Sequence, residues 1–272
     1  MQKLAVIQSV YKNDKAEYLQ LSLNSILNQT FCEFTFFLGI DGEIGDDLKK
    51  IIEEIKDDRL IVIANNKNEG LASMLNRLLK ICHEIGYEYI ARMDSDDIAI
   101  LGRFERQISF LDSHVDVDAV GGAINEIDDE GRDRGKLTRY PCSVEACRAF
   151  FAKRNPVAHP AVMFRRRYFE KAGWCYPTDF VRNEDTRLWH EGYKHGCKIA
   201  NLPDVVLNFR MTNDMFMQRR NGIDFAKSQL QLRKIIIKDL EYGSLAYVYA
   251  YAMFFLMISP RWVKKIAYRI FR

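Results

Sequence analysis

A mostly parallel α/β sheet covered by helices is the fold class that this sequence predicts, and three observations predict it. Through the first hundred residues, short apolar runs of strand length alternate with stretches whose apolar residues recur at helical spacing. Helices of that length between strands imply βαβ units. The composition is that of an ordinary globular chain: 272 residues, 48% hydrophobic and 28% charged, enough for one large domain or a domain with an appendage.

The elements follow in order. Leu4 to Val10 reads as a strand, and Leu19, Leu23, Ile26 and Leu27 then mark one helical face that ends near Asn28-Gln29-Thr30. Phe34 to Ile40 is a second strand, closed by Asp41-Gly42, and residues 46 to 56 read as a helix. Leu60 to Ala64 is a third strand. Leu71, Met74, Leu75, Leu78, Leu79 and Cys82 share an amphipathic helical face, and Tyr87 to Met93 is a fourth strand. In such a fold ligands bind beyond the carboxyl ends of the strands, so the residues to inspect are Ser9 and Tyr11, Asp41, Asn66 and Asn68, and Asp94, Asp96 and Asp97. They are expected to converge.

The second half is less regular. Ala119 to Ile127, Ala161 to Arg165 and Leu202 to Phe209 read as strands, and the polar stretch 128 to 140, with two glycines, as an exposed loop. From about residue 222 a basic helical stretch leads to fourteen uninterrupted apolar residues, 245 to 258. That is short of the roughly 20 needed to span a bilayer. After Pro260, the segment RWVKKIAYRIFR sets Trp262, Val263, Ile266, Ala267 and Ile270 on one face and Lys264, Lys265 and Arg269 on the other, the pattern of a helix lying on an anionic membrane. A helix pair packed on the domain is the alternative reading.

Composition also excludes. A formal net charge of +3 is too small to argue for nucleic acid. The six cysteines, at 32, 82, 142, 147, 175 and 197, lack the spacing of a zinc or thioredoxin-like site and read as reduced structural thiols of a cytosolic protein. The first residues run directly into a strand pattern, without the longer apolar stretch of a signal peptide.

Three aspartates fall in four positions in ARMDSDDIAI. Such crowding costs free energy unless a cation offsets it, so the cluster is either a metal site or a solvated turn. Carboxylates are hard ligands for Mg²⁺ or Mn²⁺, which take further ligands from substrate phosphates. In an extended Asp-Ser-Asp alternate side chains share a side, so Asp94 and Asp96 point together and Asp97 does not readily join them.

With SVYKNDKAEYLQLSLNSILNQTF, GIDG, NEGLASMLNRLL, YIARMDSDDIAILGRFERQISFLDSH, HPAVMFRRRYFEKAGW, NEDTRLW and NLPDVVLNFR in this order, residues 4 to 212 are similar to the family 2 inverting glycosyltransferases of the GT-A fold. More narrowly, they resemble bacterial enzymes that extend lipid-linked O-antigen or exopolysaccharide units. The resemblance implies a catalytic domain over 1–215, with a nucleotide-binding half (1–98) and an acceptor-binding half (99–215), and leaves 216–272 as a C-terminal helical, membrane-associating extension. It puts Ser9 and Tyr11 beside the nucleotide and Asp41 on its base. Many relatives have two consecutive aspartates where this chain has Ile40-Asp41, but the second is the one matched. Asn68 and Gly70 form the turn closing the nucleotide pocket, Asp94 and Asp96 are the metal ligands, and Ser95 lies with them against the nucleotide sugar. Arg92 is either a helper of the phosphates or a strand-end ion pair.

Inverting transfer also needs a base that takes the proton of the acceptor hydroxyl. Asn183-Glu184-Asp185 can open a helix, with Asn183 as cap and two acids in the first turn, where the dipole favours negative charge. Family position makes Asp185 the base, although a helix N-terminus weakens a carboxylate base unless closure dries the site. Glu184, and Trp189 four residues beyond Asp185, are expected at the acceptor, and His159, between Pro156 and Pro160, near the diphosphate. Arg210, with Arg219 and Arg220, falls where such enzymes have a mobile segment over the donor, and either meets the pyrophosphate of donor or acceptor or is solvated. The expected reaction moves a hexose from a UDP-sugar, with Mn²⁺ or Mg²⁺, to a saccharide on a polyprenyl diphosphate, at the cytoplasmic face of the cell membrane and with no nucleic acid. Two rivals are weighed: a haloacid dehalogenase-type phosphatase, in which the Asp-X-Asp would follow the first strand, and an inactive relative serving as an assembly partner, in which the acids would be lost.

Overall fold

The structure is a computed structural model and describes residues 3–180, 183–212, 223–260 and 263. One sheet of nine strands runs through it: β1 (Leu4–Val10), β2 (Phe34–Asp41), β3 (Leu60–Asn65), β4 (Tyr89–Met93), β5 (Ile98–Ala99), β6 (Ala119–Ile127), β7 (Asp133–Thr138), β8 (Met163–Arg165) and β9 (Ile199–Arg210). Their order is β3-β2-β1-β4-β8-β6-β9-β5, with β7 paired to β6. The first four pair in parallel, as do β6 and β9, while β8 is antiparallel to β4 and to β6. The fold is a mixed, mostly parallel α/β sheet flanked by helices.

The helices are α1 (Ala16–Leu27), α2 (Asp46–Glu54), α3 (Leu71–Ile85), α4 (Arg103–Ser113), α5 (Val144–Phe151), α6 (Arg166–Ala172), α7 (Glu184–Lys194), α8 (Ile223–Asp239) and α9 (Ser244–Ile258). Alternation along β1 divides the core. Leu4, Val6 and Val10 pack with α1, α2 and α4 on one face, and Ala5 and Ile7 with α3, α6, α7 and α8 on the other. Both faces of β1 are therefore apolar, as a central parallel strand requires.

Two differences from the sequence reading concern the second half. The exposed loop expected over 128–140 contains β7, an exposed strand whose charged sequence hides it from any pattern based on apolar alternation. The strand expected over 161–165 is shortened by a 3₁₀ turn, His159–Ala161. Register carries the ends of the four parallel strands to one edge. Val10 lies opposite Ile40, Asp41 opposite Asn65, and Gln8 opposite Met93.

The last two helices pack on this body. Helix α8 buries Ala226, Leu232, Ile236 and Ile237, donates from Arg233 Nη1 to the Phe151 carbonyl at 2.6 Å, and from Gln229 Nε2 to Asn183 Oδ1 at 2.5 Å. Helix α9 lays Ala246 and Ala250 against it. Among the described residues no helix is long and apolar enough to cross a membrane. The basic amphipathic segment after Pro260, and Arg219 and Arg220, lie outside the described residues except for Val263.

Candidate active site

The acidic turn follows β4 directly. Buried Gln8 and Ser22 both donate to the Asp94 carbonyl, at 2.7 and 3.0 Å, which fixes where the chain leaves the sheet. Residues 95 and 96 then form a turn instead of continuing the strand. This corrects the alternation expected for Asp-Ser-Asp. The turn carries Asp97 round, so that carboxylate oxygens of Asp94, Asp96 and Asp97 all lie within 4.8 Å of one another. Ser95 is buried between its acidic neighbours.

Asp97 reaches across to β9. Its Oδ1 accepts the backbone N–H of Arg210 at 2.8 Å, its Oδ2 is buried without a hydrogen-bond partner among the described residues, and it is 0% exposed. Burial first, and the charges of Asp96 and Asp94 next, push its carboxyl well above the usual carboxylate range. An orphaned buried carboxylate oxygen beside two further carboxylates is a donor set suited to a hard divalent cation.

Arg210 is also placed differently from expectation. It is 1% exposed and so not solvated. Nε donates to the Asp96 carbonyl at 2.9 Å, Nη1 to those of Asp128 and Asp129 at 2.8 and 3.0 Å, and the guanidinium lies 4.1 Å from the Tyr18 ring centroid. A cation at the end of β9 thus braces the acidic turn through backbone oxygens. Arg92 forms the strand-end ion pair, from Nη2 to Asp94 Oδ1, and is 1% exposed.

Across the same sheet edge, Asp41 holds the turn after β3. Its Oδ1 and Oδ2 accept the backbone N–H groups of Glu69 and Gly70, each at 2.8 Å, and Asn68 Nδ2 donates to its carbonyl at 3.0 Å. Gly70 has φ 91° and ψ 159°, a region that a residue with a Cβ resists. Gly70→Ala is expected to lower stability by about 1–3 kcal/mol, read as a shifted denaturant midpoint; an unchanged midpoint would show that the turn adapts. Ser9 and Tyr11 are half-buried near the end of β1, and the Tyr11 N–H donates to Asp14 Oδ2 at 2.9 Å.

The third part is the start of α7. Asp185 is held at both oxygens: Asn155 Nδ2 donates to Oδ2 at 2.9 Å and the Thr186 N–H to Oδ1 at 2.6 Å. Asn183 makes no side-chain cap, its amide oxygen being taken by Gln229 of α8. Burial, and after it the neighbouring Asp185, push the Glu184 carboxyl upward. Tyr176 joins these groups. Its hydroxyl hydrogen-bonds His159 Nε2 at 3.1 Å, and its phenol is influenced by the charges of Arg92, Asp185, Glu184 and Asp94. The acidic turn and the α7 acids therefore share one electrostatic neighbourhood.

Trp189 does not line the acceptor side. It is 0% exposed, stacks on Phe164 at 5.6 Å between centroids and meets the His159 ring edge-on at 6.1 Å, because this face of α7 turns towards α6 and β8. It supports His159 from behind. Burial, and then the Arg92 charge, hold the His159 imidazole well below its ordinary value of 6.5. The unfolded chain therefore binds the extra proton first on acidification, and the contribution of His159 to stability is complete above about 6.5 and lost below it. His190, also lowered by burial, has the same sign. Stability is expected to fall between pH 7 and pH 5, with a shallower slope in His159→Gln; equal slopes in denaturant titrations would refute the assignment.

Comparison with known proteins gives this geometry its family. The model described as glycosyl transferase family 2 matches residues 6–173, more than half of the chain. The chain belongs to that family. This glycosyltransferase is 34% identical over 232 residues to "Amylovoran biosynthesis glycosyltransferase AmsE" of Erwinia amylovora, covering 85% of this chain and 84% of that one. It is 28% identical to the "UDP-Gal:alpha-D-GlcNAc-diphosphoundecaprenol beta-1,3-galactosyltransferase" of Escherichia coli, over 84% and 81% of the two chains. Among solved structures, residues 1–349 of S. aureus TarS in complex with UDP-GlcNAc superpose with a TM-score of 0.65 at 17% identity, over 97% of this chain and 83% of that one. The fold is GT-A.

Three side chains of the site escaped the sequence reading. Gln8 sits inside an apolar strand, where only its polarity marked it. Asn155 carried the weak signal of an Asn-Pro turn, and Tyr176 none, because its partners His159 and Asn76 are distant in sequence.

Proposed function

We propose that this glycosyltransferase moves a hexose, with inversion, from a UDP-sugar to a saccharide carried on a polyprenyl diphosphate, as one step in building an O-antigen or exopolysaccharide. The observation that carries the reading is the pairing of two acidic groups of different build: three crowded carboxylates on a braced turn, and Asp185 held at both oxygens on another helix. The relative whose name includes UDP-Gal and diphosphoundecaprenol supports the choice of donor and acceptor.

Asp94, Asp96 and Asp97 would hold Mg²⁺ or Mn²⁺, which when bound neutralises the charge of a departing diphosphate. Asp41, Ser9 and Tyr11 border the nucleotide, and the 66–70 turn closes over it. Asp185 takes the proton of the acceptor hydroxyl. The hydrogen bonds from Asn155 and Thr186 fix its position, and the hydroxyl becomes more acidic as its bond to the anomeric carbon forms. Glu184 faces the acceptor, and His159 the diphosphate, where a neutral imidazole serves as hydrogen-bond partner of Tyr176 and the phosphates.

Neither rival gains from the structure. The Asp-X-Asp follows β4, not the first strand where a haloacid dehalogenase-type nucleophile would stand, and the acids that an inactive relative would have lost are present and anchored. The same reading makes the protein peripheral on the cytoplasmic face of the membrane. UDP-sugars offered with synthetic polyprenyl-diphosphate saccharides, with and without Mn²⁺ and read by mass, test it. A product larger by one hexose only with metal is expected; UDP-sugars left intact under every condition would overturn it.

A further inference from the structure

Helix α9 carries apolar residues on its outside. Leu245, Val248, Tyr251, Phe255 and Ile258 are 80%, 64%, 42%, 61% and 43% exposed, and their spacing of three and four puts them on one face. The other side of the helix, at Ala246 and Ala250, packs on α8. Beside the exposed stripe an open groove of about 460 Å³ runs between the two helices. Tyr247 and Phe254 line it from α9, Lys227, Lys234 and Lys238 from α8, and no lining residue is acidic. The lysines share one face of α8, turned away from Leu232 and Ile236, which pack into the core. A contiguous apolar stripe on a soluble domain marks an interaction surface.

We propose that α8 and α9 together form a bilayer-docking face, in which the α9 stripe enters the headgroup boundary and the lysine row binds the phosphates of anionic phospholipids. The proposal deepens the peripheral membrane reading above and rests on it, adding α8 and a preference for anionic lipid. An apolar stripe beside a row of cations is the pattern that an anionic bilayer complements. A second copy of the chain fits less well, because symmetric pairing through this face would bury two lysine rows against one another. The orientation has a use: the opposite side of α8 is tied by Gln229 to Asn183, next to Glu184 and Asp185, so the docked face lies one helix from the acids that meet the acceptor.

The test is flotation of the full-length protein with vesicles of phosphatidylcholine alone, of phosphatidylcholine with phosphatidylglycerol, and of phosphatidylcholine carrying a polyprenyl diphosphate. The parent is expected to float with the phosphatidylglycerol vesicles. The triple variant Lys227→Gln, Lys234→Gln, Lys238→Gln is expected to lose at least about tenfold of that affinity. Leu245→Ser with Phe255→Ser is expected to lose binding to every vesicle. The segment after residue 260 is identical in all variants, so its contribution cancels. A triple variant that floats like the parent, a parent retained only by the polyprenyl diphosphate vesicles, or a dimer that Leu245→Ser with Phe255→Ser makes monomeric would each overturn the proposal. Transfer to a water-soluble acceptor, measured in parallel, is expected to be unchanged in every variant. Its absence in the parent would count against the catalytic reading and leave the docking result standing.

Discussion

Asp185→Asn is expected to leave UDP-sugar affinity near that of the parent and to cut the rate of transfer by about 10³-fold. The substitution keeps the size of the side chain and the carbonyl that accepts from Thr186, so α7 should start as before. What changes is the ability to take a proton. Because Asn155 and Thr186 fix both oxygens, no other carboxylate is held in the same place, and Glu184 is the natural internal control. Glu184→Gln is expected to lose much less. Titration with UDP followed by single-turnover transfer separates binding from chemistry; a fully active Asp185→Asn enzyme would remove Asp185 from the mechanism.

Asp96→Ala is expected to abolish the Mn²⁺-dependent part of UDP binding and to reduce transfer by about 10²–10³-fold. The brace formed by Arg210 reaches the backbone oxygen of residue 96, which the substitution retains, so the turn itself should survive and stability should change little. Removing one carboxylate from the cluster also relieves repulsion, so any small change in stability is expected to be a gain. Calorimetric titration of UDP with and without Mn²⁺ distinguishes the cases. If the two isotherms of Asp96→Ala differ as they do in the parent, Asp96 is not a ligand.

How much of this could be read from residues alone follows from the range of the forces involved. The four parallel strands and their helices are announced by local periodicity, and Leu4–Val10 agrees with its strand to the residue. Asp41 and the 68–70 turn were also legible, because polar residues after a strand can point only to the carboxyl edge. Arg210 was not. Its sequence neighbours describe an exposed strand end, whereas Asp96 arrives through the antiparallel pairing of β5 with β9, Asp128 through the parallel pairing of β6 with β9, and Tyr18 from α1. Trp189 was misread for a related reason. Helical spacing does give the face shared with Asp185, but not which part of that face the aromatic side chains of β8 and α6 cover. Asp97 failed on a single dihedral choice, turn against strand, which two small polar residues leave open.

The brace between Arg210 and the acidic turn bears on where the working unit ends. The family match stops at residue 173. A chain cut there would retain all three aspartates of the turn, yet it would lack Asp185 and the strand that supplies the arginine holding the turn in shape. The end of the family model's match and the end of the proposed catalytic set are thus different positions, and on the proposed mechanism a minimal active fragment runs at least through Arg210.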